Sequence, residues 1–392
     1  MSLPSVNRPV RLCRIATVPV HITMLLRQQL RDIIKAGLDV TIVSSPGPVL
    51  DEIAASLGIR CYPIPMMRSP HPGRDLISLN RLIRFFRAEQ FDIVHSSTPK
   101  AGLLAALAGS LVRVPVRIHT FTGQPWVERS GIVRWAARES DRLIARLDTH
   151  TYADSDSQRN FLIAEGLVKA NKISVLGAGS ISGVDLQRFG LVSKPAKRAA
   201  IREQLNILET SLVIVFVGRV TKDKGIVELI ASMRDLWKQH NDLHLLLVGQ
   251  FEPERDPLPQ ETLDEIAANP KIHSMGFVYD PENYMAASDI FCLPSYREGF
   301  GGVVIEAGAM NLPAVATRIT GLVDAVVEGE TGILVPPKDV PALVEALLTL
   351  IRSPELRQEM GATAMGRSHA YFDASVVNKM VIDEYCRLVG TV

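Results

Sequence analysis

Cysteine is scarce: Cys13, Cys61, Cys292 and Cys386 are scattered over 392 positions with no C-x-x-C spacing. That pattern disfavours both a zinc site and a disulfide framework, and the four are expected to be buried and reduced. Long apolar stretches are missing too. No run approaches the about 18 residues of a membrane-spanning helix, and the opening Met1–Arg14 carries Pro4, Pro9 and three arginines in place of an apolar leader core. The chain is therefore expected in the cytoplasm. Repeats and low-complexity tracts are absent, and net charge is only +1. The charge is unevenly spread, however: 24 Lys and Arg face 15 Asp and Glu up to residue 190, and 19 face 27 beyond it. Such asymmetry suggests that the first half meets something anionic.

What is present is apolar residues in quantity, 47% of a chain too long for one ordinary domain. Leu12–Val18, Val40–Val43, Phe91–His95, Val116–Thr120 and Thr149–Ala153 read as strands that alternate with helical patterns, which means a parallel sheet covered by helices. Met24–Ala36 shows the helical apolar period and stops at Gly37, as a first crossover helix would. After the polar, proline-containing stretch Leu191–Lys197 a second series begins, with strands at Leu212–Val217, Leu243–Val248, Ile290–Leu293 and Ala314–Thr317. The expected class is α/β, two Rossmann-like doubly wound parallel-sheet domains facing a cleft. Residues 1–190 form the first domain, 191–370 the second, and 371–392 a helix crossing back to the first. In such sheets ligands sit at the carboxyl ends of the strands.

The most informative segment is Pro294-Ser-Tyr-Arg-Glu298-Gly299-Phe300-Gly301-Gly302-Val-Val-Ile-Glu306, a strand end, a glycine-rich loop and an apolar helix. Small Gly301 and Gly302 let N–H groups at a helix start approach a phosphate or sugar oxygen, where the helix dipole favours negative charge. Glu298 in the loop and Glu306 about a turn and a half into the helix could hold hydroxyls at opposite ends of one ligand. Upstream, Val217-Gly218-Arg219-Val-Thr-Lys-Asp-Lys224-Gly225 places two cations in another strand-to-helix loop, where Arg219 and Lys224 suit a diphosphate. Taken alone, each segment also reads as an ordinary charged turn.

Together these segments resemble the donor domain of the family 4 glycosyltransferases of bacterial surface-polysaccharide type. The family pattern is a Gly-Arg and a Lys-Gly, then two glutamates separated by seven residues, then a loop like Thr331-Gly332-Ile-Leu-Val-Pro336. The resemblance implies the GT-B fold and retention of anomeric configuration. It implies Arg219 and Lys224 on the diphosphate, Glu298 on the donor sugar and Glu306 on the ribose. Gly299, Phe300 and Gly301 would supply backbone contacts, and Gly276-Phe-Val278 the turn that receives the base. Ser97-Thr-Pro-Lys100-Ala-Gly, Arg117-Ile-His119-Thr-Phe-Thr-Gly123-Gln-Pro-Trp126 and Gly183-Val-Asp185 extend the likeness over nearly the whole chain. Two departures stand out: Thr17-Val-Pro19-Val-His21 replaces the usual Gly-Gly turn, and Asn311 the usual glycine before Leu-Pro.

His119 is expected to close a strand and enter the cleft, and the resemblance puts a histidine near the donor sugar, so His119 and Glu298 are the catalytic candidates. His21 and Lys100 are the candidates on the acceptor side. Arg134, Arg138, Arg142 and Arg146 line one side of a helix over Gly131–Leu147, with Trp135 between them. That stripe suits an anionic bilayer, or else a solvated face paired with Glu139 and Asp141. Asp154-Ser-Asp156 imitates a metal-binding D-x-D but precedes a helix, so capping is the simpler reading. Gly177-Ala-Gly179-Ser-Ile-Ser-Gly183 imitates a dinucleotide fingerprint with the wrong spacing.

The expected function is transfer of a hexose or N-acetylhexosamine from a nucleotide-diphosphate sugar, with uridine as the first choice of base and guanosine the second, to a lipid-linked glycan acceptor. The protein would act peripherally on the inner face of the bacterial inner membrane, with neither metal nor cofactor and without nucleic acid as a partner. A nucleotide-sugar epimerase of the same architecture and a non-catalytic nucleotide-sugar sensor are the rivals.

Overall fold

The computed structural model describes residues 8–67, 69, 71–254 and 256–390. The first half of the segment read above for a leader lies outside the described residues. The chain divides into two compact units, one of residues 1–183 with 374–392 and one of residues 184–373. The first boundary thus precedes the expected 190. Val184 pairs with Asp373 and donates to the Phe372 carbonyl at 2.6 Å, so the chain enters and leaves the second unit side by side. Phe189 already belongs to that unit's core, and Leu191–Lys197 leads into the Lys194–Gln204 helix rather than forming a linker.

The first unit holds a parallel sheet of β1 (Arg11–Ile15), β2 (Asp39–Ser44), β3 (Arg60–Pro63), β4 (Ile93–Ser96), β5 (Val116–Phe121), β6 (His150–Ala153) and β7 (Ile173–Ser174). Its order is β3-β2-β1-β4-β5-β6-β7. The second unit holds β8 (Leu212–Val217), β9 (Leu243–Val248), β10 (Ile272–Gly276), β11 (Ile290–Leu293), β12 (Ala314–Thr317) and β13 (Gly332–Val335), in the order β10-β9-β8-β11-β12-β13. Near-continuous apolar strands such as Leu212–Val217, all but the first residue buried, are what a sheet covered on both faces demands. Each sheet reverses its winding once, between β1 and β4 and between β8 and β11, and the loops leaving those strands are where a parallel sheet opens a crevice.

The expected crossover helix is two helices, Pro19–Leu25 and Arg27–Lys35, meeting at Leu26. Pro19, which looked like part of an irregular turn, sits in the first turn of a helix, where a missing N–H costs nothing. The final helix, Ala374–Gly390, buries Val381, Tyr385 and Leu388 in the first unit's core. Cys13, Cys292 and Cys386 are buried and Cys61 half-buried, all unpaired with one another.

Several titratable groups of the first unit are buried without a counter-ion at bonding distance. Burial pushes Asp148 and Asp154 up to about 8, Asp148 in spite of Arg117 and Lys172 nearby. One carboxylate oxygen of each has no hydrogen-bond partner. Their folded values lie above the ordinary 3.8, so the stability they contribute is complete below 3.8 and is lost as pH rises through about 8. His21 and His119, held neutral by burial at about 4 and about 3, are depressed instead, and their contribution is lost only on acidification. Urea unfolding between about pH 6.5 and 9 should therefore show the first unit weakening as pH rises, with Asp154→Asn flattening the slope. A wild-type midpoint that is constant over that range would contradict this account.

Candidate functional site

In the second unit the loops after β8 and β11 converge at the winding reversal. Lys224 Nζ donates to Glu298 Oε1, joining the two loops by an ion pair whose side chains are about 14% and 15% exposed. Asp223 ties the same loops together. Its carboxylate accepts from Thr221 Oγ1 at 2.6 Å, Arg219 at 3.2 Å and Arg297 at 3.1 Å. Burial opposes its charge, but Thr221 and the cations Arg219, Lys224 and Arg297 outweigh that and hold it at about 2. The backbone is joined as well: Tyr296 N donates to Asp223 O at 2.8 Å. Arg219 is further held by Glu252 at 3.1 Å. Three cations and three carboxylates thus lie in one connected group.

Beyond Glu298, Gly301 adopts φ +86° and caps the Gly302–Ala309 helix, whose first N–H groups receive no side-chain cap. They stay open to an anion at the same crevice. Glu306 lies on that helix, half-buried, with its carboxyl pushed up to about 7 by burial; Arg188 opposes this shift and Glu282 adds to it. Arg188 itself is bonded to Glu282 at 2.8 Å. Phe300 is buried against Phe372, so only its backbone can meet a ligand. Val278, half-buried, follows the edge strand β10 between exposed Phe277 and Tyr279. Asp223 and Arg297 were not anticipated. Their sole sequence signal is the interleaving of opposite charges in Arg219–Lys224 and Arg297–Glu298.

In the first unit the structure corrects the expectation that His119 closes its strand, and it shows what Lys100 and the arginine stripe touch. β5 continues to Phe121, so His119 does not close its strand. Its imidazole is buried, bonds Ser96 Oγ at 2.8 Å, and lies where a side chain on Gly102 would stand 2.5 Å from it. The group that does stand after β5 is Thr122, which donates to Ser97 O at 3.2 Å. Lys100 is committed to both oxygens of Asp75, at 2.6 and 2.8 Å, and to Ser69 O. His21 does reach the winding reversal, bonding Ser97 Oγ at 3.0 Å. Thr17 N bonds Thr98 Oγ1 beside it at 2.9 Å. Arg14 lies beneath, buried on His95 and Tyr385.

Within the stripe, Arg138 pairs with Glu165 and Arg142 with Glu139, while Arg134 lies over the Trp126 ring at 5.8 Å. Two of its four arginines thus pair with carboxylates. The D-x-D look-alike resolves into a cap made by its middle residue: Ser155 accepts from Gln158 N at 3.1 Å, Asp154 is buried and Asp156 exposed. Among the described residues no group of three or more His, Cys, Asp or Glu could hold a metal ion, and no helix is long and apolar enough to cross a membrane.

Known proteins match both units. Residues 197–367 fit the model of glycosyl transferases group 1 and residues 22–179 that of a glycosyl transferase 4-like domain. The chain is similar to the capsular polysaccharide biosynthesis glycosyltransferase CapM of Staphylococcus aureus, 33% identical over 353 residues, 90% of this chain and 91% of that one. It is also similar to the UDP-Gal:alpha-D-GlcNAc-diphosphoundecaprenol alpha-1,3-galactosyltransferase of Escherichia coli, 26% identical over 313 residues, 78% of each chain. Its fold is that of HepE from Anabaena, solved in complex with UDP and glucose, at a TM-score of 0.81 and 19% identity over 96% of this chain and 100% of that one. With two Rossmann-like parallel-sheet units and these relatives, the chain belongs to the family 4 glycosyltransferases of GT-B fold and is a glycosyltransferase.

Proposed function

We propose that this glycosyltransferase moves a hexose or N-acetylhexosamine from a UDP-sugar to a lipid-linked saccharide during synthesis of a bacterial surface polysaccharide, with retention and without a metal. The observation that carries the donor reading is the meeting of Arg219, Lys224 and Glu298 at the winding reversal of the second unit. An entering diphosphate competes with Glu298 for Lys224 and with Asp223 and Glu252 for Arg219, and Glu298 is released to accept from a sugar hydroxyl. The bond from the anomeric carbon to the β-phosphate oxygen breaks as the bond to the acceptor oxygen forms. The electron pair stays on the phosphate, which takes the acceptor's proton. Lys224, Arg219 and the open N–H groups after Gly301 stabilise that growing charge. The solved UDP complex of a protein with this fold and the diphosphoundecaprenol acceptor of the Escherichia coli relative support the choice of base and acceptor. Glu306 would hold the ribose and the turn at Val278 the base. His21, Ser97 and Thr122 in the first unit are the groups we assign to the acceptor side, with His119 holding up the packing under them.

The test is incubation with UDP-sugars, alone and with an undecaprenyl-diphosphate-linked saccharide. Sugar should appear on the lipid only when both are present. An altered sugar from donor alone would point to an epimerase, and binding without chemistry to a sensor. Turnover should be unchanged by EDTA, since the diphosphate has two fixed cations. Full loss on chelation, restored by Mg²⁺ or Mn²⁺, would overturn the metal-free part.

A further inference from the structure

The turn that follows Val184 has no part in the function above, yet it ends between two parts of the donor site. Asp185 Oδ1 accepts from Gln187 N at 3.0 Å and from Arg188 N at 3.4 Å, and Phe189 anchors the turn in the second unit's core. Arg188 is thereby fixed. Its guanidinium forks onto Glu282, Nε to Oε1 at 3.3 Å and Nη2 to Oε2 at 2.8 Å, and Nη2 also donates to the Tyr279 carbonyl at 2.8 Å. Tyr279 directly follows Val278 in the turn that would receive the base. Glu282 has a side chain only 9% exposed, so this is no ordinary surface pair.

The same two charges act on Glu306 in opposite senses, Arg188 favouring its carboxylate and Glu282 its protonated form. Lys197 stands 4.0 Å from Glu282. The other elements packed on the Gly302–Ala309 helix direct their charges elsewhere. Arg367 of Pro354–Tyr371 donates to the Asp324 and Ala325 carbonyls, Asp324 acts on Arg367, and Lys194 reaches the Met310 carbonyl. The strands β11 and β12 are uncharged. The form of Glu306 matters to a ribose: as a carboxylate both oxygens accept from neighbouring hydroxyls, whereas a protonated carboxyl gives up part of that capacity.

We propose that Arg188 is a positioning residue of the donor site, which fixes the base-receiving turn through Tyr279 and Glu282 and presents Glu306 to the ribose as a carboxylate. The inference rests on the reading of Glu306 as the ribose ligand. Removing Arg188 takes away the cation facing Glu306 and leaves Glu282 as an uncompensated like charge, so Glu306 holds its proton to higher pH. Removing Glu282 does the reverse.

Calorimetry with UDP-glucose between about pH 6 and 8.5 tests this, because a diphosphate esterified at both ends does not titrate there. Wild-type affinity should fall as pH drops through about 7, where Glu306 takes up its proton. Arg188→Gln should move that midpoint up by about one unit and weaken binding roughly fivefold at pH 7. Glu282→Gln should move it down, and the double variant should lie between the two. Arg188→Lys keeps the charge but cannot both fork onto Glu282 and reach Tyr279, so it should lose affinity equally at every pH, with the midpoint in place. Both single variants break the same ion pair. A merely structural pair would therefore lower affinity and melting temperature alike in both, with no change of midpoint, and that result, or midpoints that move the same way, would overturn the proposal. The 2′-deoxyribose analogue of UDP-glucose separates the two readings. If it binds wild type as tightly as UDP-glucose while the opposite shifts persist, the ribose reading fails and the hold of Arg188 on Glu306 stands. If it binds weakly but the shifts do not oppose, Glu306 keeps the ribose and the role of Arg188 falls.

Discussion

Glu298→Gln and Lys224→Ala are each expected to lower turnover by about 100-fold or more, because each removes a charge that acts on the sugar or the departing diphosphate in the transition state. The two residues are bonded to each other, so a single substitution also leaves the survivor partly buried and unpaired, and the second unit should melt at a lower temperature. That side effect can be separated from catalysis. The double variant Glu298→Gln with Lys224→Gln keeps two polar groups that can bond each other and strands no charge. It should recover stability without recovering turnover. If the double variant regained the wild-type rate, the pair would be a structural bridge and the donor assignment would fail. Glu306→Ala should differ from both by mainly raising the donor KM, since a ribose contact persists from ground state to transition state.

How much of this was visible in the sequence depends on what kind of pattern each feature makes. Long buried strands announce themselves: Leu212–Val217 and Leu243–Val248 coincide with the structure residue for residue. β10 and β13 do not, because IHSMG and GILV close or open on a glycine; only their neighbours β9 and β12 make them strands. The donor loops were legible because phosphate and sugar chemistry leaves charged residues and glycines at fixed spacing. The ion pair between Lys224 and Glu298 was not, since it joins residues 74 apart through the winding order of the sheet. The place of His119 in its strand was misread for the reverse reason. Two more residues of backbone pairing, out to Phe121, change a strand-end histidine into one buried under a helix, and that extension is made by the neighbour β6, since pairing with β4 ends at His119. The arginine stripe shows the limit of counting charge along one helix. Glu165, which engages Arg138, lies on the far side of β6 in sequence.

The two glycines that frame the donor loops should respond in opposite ways to the same small change. Gly225 holds φ +73°, and a Cβ there would lie 2.0 Å from the carbonyl oxygen of Pro294, a backbone atom that cannot swing aside. Gly225→Ala therefore combines left-handed strain with a steric clash between the loops after β8 and β11, together at least about 3 kcal/mol. Relief requires the loops to part, which separates Lys224 from Glu298, so donor affinity should collapse along with the melting temperature. Gly302, by contrast, is exposed, has no positive φ, and would meet nothing within 4 Å with a Cβ. Gly302→Ala should leave stability unchanged or slightly raised, as alanine is the better helix former. Any rise in donor KM it causes must then come from the ligand's own approach to the start of the Gly302–Ala309 helix. Thermal melts and donor kinetics on the two variants decide the matter. A stable Gly225→Ala enzyme with normal donor affinity would show that the loops need not touch, and a Gly302→Ala enzyme with unchanged donor kinetics would remove the helix start from the diphosphate site.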